Sequence, residues 1–195
     1  MMIKICGIHD PATIPVLNQS HPDLVGFVFA PSKRHVDLQA AMQLRQLLAP
    51  SIQTVGVFVN EPVGEIDQAI TSGAISVVQL HRPIDAATID HFHDLSAKVI
   101  QVCRRIDDAP ATRADYLLYD GSEGSGTKLR WQILPQAKQP RFVAGGLTPT
   151  NVKRALIATH ADGVDVSSGV ETAGRKDPPK IKQFITQVRQ SEVPQ

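Results

Sequence analysis

The residues that could do chemistry are a thiol, a carboxylate and two glycine- or serine-rich turns. Cys6 closes the apolar run MIKIC, one residue before Gly7. A cysteine there is either a buried core thiol or a thiolate acting as base or nucleophile. Asp120 closes the run 115–119 and opens a glycine-rich stretch. It is either a turn or capping residue or, with its pKa raised by desolvation, a general acid. Gly145-Gly146 and Ser167-Ser168-Gly169 follow two further runs. Such turns offer backbone N–H groups, close approach and hydroxyl donors to an anion. One alone reads equally well as a tight turn; two brought side by side favour a phosphate site.

Other polar residues share this placement at the end of an apolar run. They are Ser32-Lys33-Arg34, Asn60, His81 and Arg104-Arg105. His81 is either a rim histidine or a ligand, and Cys103 reads as a core cysteine. No second His, Asp or Glu stands at metal-ligand spacing to support zinc. No GxGxxG follows the first run and no P-loop lysine motif occurs, so no nucleotide or nicotinamide cofactor is expected.

The elements that must position these residues are the runs themselves, at 2–6, 24–29, 53–59, 74–80, 98–103, 115–119, 141–144 and 163–166. Most are continuously apolar, which suits strands buried on both faces of a parallel sheet. Their starts lie about 17 to 29 residues apart, mostly about 22, the length of one βα unit. Amphipathic stretches fall between them. Leu38, Ala41, Met42, Leu44, Leu47 and Leu48 approximate helical spacing. Pro62 opens a helix over 62–70. Thr148-Pro149 is expected to cap and open one over 151–159, and Asp177-Pro178 one over 180–189. The segment after the fifth run is brief and holds Pro110, so its helix is expected to be reduced or missing.

Eight βα units predict a small closed (βα)8 barrel over residues 1–195 as a single domain, with a doubly wound sheet as the alternative. The 195 residues are 42% hydrophobic and 20% charged, which excludes a disordered or fibrous chain. A net charge of +1 supplies no field for nucleic acid or an anionic membrane. No apolar run is long enough to span a bilayer, and the amino terminus has no signal-peptide layout. Two cysteines make no disulfide framework, so a soluble intracellular protein with free thiols is expected. The tail 191–195 is expected to fray.

Taken together, KICGI, GFVFAPSKRHV, VGVFVN, VVQLH, GSGTK followed by Trp131, FVAGGLTPTNV and VDVSSGVE followed by GRKD resemble the phosphoribosylanthranilate isomerase family of tryptophan biosynthesis. The segments run in order over nearly the whole chain. The resemblance implies a small (βα)8 barrel carrying out a cofactor-free Amadori rearrangement. It implies Cys6 as base, Asp120 as general acid and Arg34 as the group holding the anthranilate moiety. Gly145, Gly146, Ser167, Ser168 and Gly169 are implied to hold the phosphate, and His81 joins the substrate-binding set. The implied partner is a small sugar phosphate, with no nucleic acid or membrane. The implied enzyme is cytoplasmic, a monomer or homodimer.

Three loop positions depart from the family's pattern: Arg82, Glu123 and Arg130. The related isomerase of histidine biosynthesis uses aspartate at the end of strand one, so Cys6 argues against it. A sugar-phosphate-binding barrel without catalysis is opposed by the presence of Cys6, Asp120 and Arg34 together.

A last expectation concerns the barrel floor. Side chains alternate along a strand, so an inward Cys6 brings Lys4 inward as well. In VDVSSG the inward set is Asp165 and Ser167, which makes Lys4 and Asp165 buried neighbours. The pair is either a salt bridge that fills the barrel or a device that favours the Cys6 thiolate.

Overall fold

A computed structural model describes residues 1–103, 110–120 and 131–191. The apolar runs form eight parallel strands: β1 (Met2–Cys6), β2 (Leu24–Val28), β3 (Gln53–Phe58), β4 (Val77–Leu80), β5 (Lys98–Cys103), β6 (Tyr116–Asp120), β7 (Arg141–Ala144) and β8 (Gly163–Val166). They pair in sequence order, and β8 closes on β1, as eight βα units require. The doubly wound alternative is thereby removed.

Among the described residues six helices ring the barrel: α1 (Ile14–Ser20), α2 (Leu38–Leu47), α3 (Val63–Thr71), α4 (Ala86–Asp94), α5 (Val152–Thr159) and α6 (Pro178–Gln190). Asp37, Asp85 and Asp177 cap α2, α4 and α6, each accepting a backbone N–H of the first turn. Among the described residues no helix lies between β5 and β6, as Pro110 suggested. None lies between β6 and β7 either, where Pro135 and Pro140 break residues 131–140. Arg104, Arg105, Glu123, Arg130 and the tail from 192 onward lie outside the described residues.

Strand alternation sorts the apolar side chains into two packed sets. Outward residues such as Ile3, Ile5, Val78 and Leu80 meet the helices. Inward residues fill the barrel: Leu24, Val55, Val57, Val77, Ile100 and Phe142, with Cys6 among them. In β1 the same alternation turns Lys4 inward, and β8 presents Asp165 opposite it in register. Lys4 Nζ lies 2.9 Å from Asp165 Oδ2, and Lys4 has no solvent exposure at all. The expected floor pair is therefore present.

A buried ion pair costs most when only one partner is removed. Lys4→Met should lower stability by about 3–5 kcal/mol, because Asp165 loses its counter-charge. The double variant Lys4→Met/Asp165→Leu should recover most of that loss. Urea unfolding of the three proteins checks both statements.

Candidate active site

The strands deliver their C-terminal residues to one mouth, and two cavities with shared walls open there. The smaller, of about 160 Å³, is lined mostly by polar residues and glycines, among them Cys6, Asp120, Gln79, Asp165 and the turns 145–147 and 167–169. The larger, of about 550 Å³, is lined mainly by Val28, Ala30, Pro31, Val57, Val59 and Val102. Arg34, His81, Asp120 and Ser167 border both. All nine residues expected at the site thus lie around one opening. Cys6 ends β1 and Asp120 ends β6, three strands apart the short way around the ring.

The two turns are built against each other. Gly145 and Gly146 have φ of 93° and 63°, a region that side-chained residues seldom occupy. A Cβ on Gly169 would stand 1.7 Å from the Leu147 carbonyl oxygen, so only glycine lets these backbones meet. The entry to α5 differs from the sequence reading. Thr148 is not its cap; residues 148–151 make a turn, and the helix starts at Val152 with Asn151 in the N-cap position. The Asn151 side chain instead braces the turn. Its amide donates to the Gly146 carbonyl at 2.9 Å, and its carbonyl oxygen accepts from Thr148 N–H at 2.7 Å.

Arg34 is held by a partner that the sequence reading missed. Its Nε and Nη2 donate to the two oxygens of Glu171 at 2.7 and 2.9 Å. Glu171 also accepts from Lys176 Nζ at 2.8 Å, and Lys176 donates to the Ser167 carbonyl at 2.9 Å. Glu171 and Lys176 face each other across a small antiparallel ribbon, β9 (Glu171–Thr172) and β10 (Arg175–Lys176). Ala173 and Gly174, both at positive φ, turn it. The Ala-Gly step was the available signal, but two-residue strands carry no periodicity to detect.

Burial pushes the Cys6 thiol up; Lys4 draws it down, Asp165 pushes it up again and Lys176 draws it down. The outcome is a thiol above its ordinary value. Lys4 therefore acts in the expected direction but does not by itself yield a resting thiolate. Burial alone would depress Lys4; Asp165 above all, then Cys6, reverses this and holds the ammonium above its ordinary value. Of the loop departures, Arg82 turns aside to donate to the Glu61 carbonyl at 3.1 Å. Asn60 and Lys33 are exposed and line neither cavity.

A closed (βα)8 barrel whose mouth joins a thiol, a carboxylate, a glycine–serine cradle and an apolar recess is the frame of an enzyme that reshapes a small phosphorylated molecule. The comparisons make that class specific. The family model described as N-(5'phosphoribosyl)anthranilate (PRA) isomerase matches residues 3–187. An N-(5'-phosphoribosyl)anthranilate isomerase of Lacticaseibacillus paracasei is 45% identical over 190 residues, covering 97% of this chain and 96% of that protein. The crystal structure of TrpF from Jonesia denitrificans superposes with a TM-score of 0.84 at 32% identity, covering 100% of both chains. A phosphoribosyl anthranilate isomerase in complex with reduced 1-(o-carboxyphenylamino)-1-deoxyribulose 5-phosphate superposes with a TM-score of 0.75 at 28% identity, covering 97% of this chain and 99% of that one.

The chain belongs to the phosphoribosylanthranilate isomerase family. It is an aldose–ketose type isomerase of L-tryptophan biosynthesis. Its reaction is the Amadori rearrangement of N-(5-phosphoribosyl)anthranilate to 1-(2-carboxyphenylamino)-1-deoxyribulose 5-phosphate.

The Glu171 carboxyl is pushed up by burial, but Arg34 and Lys176 outweigh that and hold it at about 2, against an ordinary 4.5. A carboxyl whose value is lower in the folded than in the unfolded chain stabilises the fold above the unfolded value. That contribution should be complete above about pH 4.5 and fade as the pH falls toward 2. Glu171→Gln should therefore be less stable than the parent at neutral pH, and the gap should close over that window. Urea unfolding at several pH values reads it directly.

Proposed function

We propose that Cys6 and Asp120 divide the proton transfers of this rearrangement, and that the rest of the mouth holds the two ends of the substrate. The observation that carries the reading is the two-lobed opening, with both residues lining the polar lobe that adjoins the apolar one. The apolar lobe suits the aromatic ring of anthranilate. The turns 145–146 and 167–169 suit the phosphate, through backbone N–H groups and serine hydroxyls. The ribose then lies between Cys6 and Asp120.

In this mechanism Asp120 protonates the furanose ring oxygen as the C1–O bond breaks. The nitrogen lone pair forms the C1=N bond, giving an iminium conjugated with the anthranilate ring. Cys6, as thiolate, removes the proton on C2. The C–H electrons form C1=C2 and neutralise the iminium, and the enolamine tautomerises to the ketone. Protons move and no external oxidant is consumed. The resting Cys6 thiol must first give its own proton to solvent water, and it regains one when it takes the C2 proton. The iminium places positive charge near Cys6 at the step that needs the thiolate, which favours ionisation.

Arg34 receives the anthranilate carboxylate and His81 completes the substrate-binding set. Glu171 grips the Nε–Nη2 edge of Arg34, which fixes the plane of the guanidinium. The chain acts as a single domain over 1–195 in the cytoplasm, as a monomer or homodimer. Both cysteines are free, as that compartment favours.

Asp120→Asn should fold normally yet lose about 10²–10⁴-fold in turnover, since an amide supplies no acidic proton. Following the fluorescence of N-(5-phosphoribosyl)anthranilate measures it, and near-parental activity would remove Asp120 from the role. Arg34→Lys keeps a charge but loses the planar fork. It should weaken binding of a carboxylate-bearing product analogue while leaving a plain sugar phosphate almost unaffected. Calorimetric titration of both ligands decides, and equal losses would reassign Arg34 to the phosphate.

A further inference from the structure

Two buried acceptor atoms on residues of the polar lobe have no task in the chemistry just described. Among the described residues, four buried polar side-chain atoms lack a hydrogen-bond partner. Two of them, Gln79 Oε1 and Asp165 Oδ1, belong to residues that line the same lobe as Cys6. Gln79 is 1% exposed and Asp165 8%. Gln79 occupies an inward position of β4, where Val57 of β3 is its register partner. It is the one amide in the short run VVQL, whose other members are apolar.

Both side chains are anchored by their second polar atom. Gln79 Nε2 lies 2.9 Å from His81 Nε2, which occupies the amide nitrogen and leaves the carbonyl oxygen unpaired. Asp165 Oδ2 accepts from Lys4 Nζ at 2.9 Å, which leaves Oδ1 unpaired. An unpaired acceptor buried in a protein is costly, so two of them on residues that line one cavity call for donors from a ligand held there. Both atoms are acceptors, hence the complementary ligand groups are hydroxyl or amine hydrogens. They line the lobe that adjoins the apolar one and holds Cys6, which is where the reading above puts the sugar.

We propose that Gln79 and Asp165 are specificity-determining residues that accept hydrogen bonds from the ribose hydroxyls, fixing the sugar so that its C2 proton faces Cys6. The inference rests on the reading of the mouth given above. Asp165, on the strand paired with the one that ends in Cys6, takes the hydroxyl on C2, and Gln79, on β4, takes the one on C3. Neither residue exchanges a proton in this role. Its effect is on which sugar binds and in what pose, because a site built to hydrogen-bond a hydroxyl discriminates against an analogue lacking it.

The test is equilibrium binding of an unreactive ligand, the reduced product 1-(o-carboxyphenylamino)-1-deoxyribulose 5-phosphate, and of its 2-deoxy and 3-deoxy forms. The parent enzyme should bind each deoxy form about 10- to 100-fold more weakly than the full ligand. Gln79→Leu should erase the penalty for the 3-deoxy form and keep that for the 2-deoxy form. Lys4→Met/Asp165→Leu, which leaves no bare charge on the floor, should do the reverse. A merely structural role would weaken all three ligands alike. Inorganic phosphate binding serves as the check that each variant retains its cradle. Equal binding of all three ligands by the parent enzyme, or both penalties surviving in Gln79→Leu, overturns the proposal. These titrations do not sense proton transfer. An error in the acid–base assignment would appear instead as activity in Asp120→Asn and would leave this comparison standing.

Discussion

Closure of β8 on β1 puts a lysine and an aspartate opposite each other inside an otherwise apolar barrel, and the site is arranged around that pair. Neither charge would be tolerated alone at this depth. Together they hold a carboxylate with one oxygen engaged and the other buried without a hydrogen-bond partner. They also set the field at Cys6, one inward position above Lys4. Burial pushes the thiol up most strongly, and lysine and aspartate act on it with opposite sign, so the thiol stays above its ordinary value. A well-packed apolar pair could fill the same volume at little cost in stability. Polarity at this position is therefore better explained by what it offers the cavity than by what it contributes to the fold.

The rim is organised by a second charged group of a different character. Arg34 comes from the segment after β2, while Glu171 and Lys176 come from the ribbon after β8. Lys176 extends the connection to Ser167, whose hydroxyl donates to the Cys6 carbonyl at 3.2 Å. One chain of contacts thus ties the ends of β1, β2 and β8 into a single edge. Two cations share one carboxylate, so the cluster keeps net positive charge at the rim of the barrel mouth.

How much of this could be read from the residues depended on how each position is built. The strands were legible because a strand buried on both faces leaves a continuous apolar run, and all eight appear within a few residues of where those runs lie. Cys6, Asp120 and the two turns were legible because a polar residue closing an apolar run marks the barrel's active end. Lys4 and Asp165 followed from alternation alone. Gln79 did not, because a single amide within an apolar run looks like tolerated variation until its burial and its unpaired oxygen are known. Glu171 and Lys176 depend on a hairpin too short to show a period. Thr148 misled because Thr-Pro has the pattern of a helix start, whereas the local turn postpones α5 to Val152 and gives Asn151 a bracing task. Trp131 and Arg154 meet as a cation and an aromatic face, a contact between distant segments that no local pattern announces.

The backbone contact between Gly169 and Leu147 has a consequence for anyone rebuilding this barrel. The turns after β7 and β8 touch main chain to main chain, with no adjustable side chain between them to absorb a change in length or shape. They amount to one part supplied by two stretches of sequence. A chimera that takes one turn from a donor barrel and keeps the other from the host would join surfaces cut to different templates. Transplanting both, with the Asn151 brace, moves a complete module.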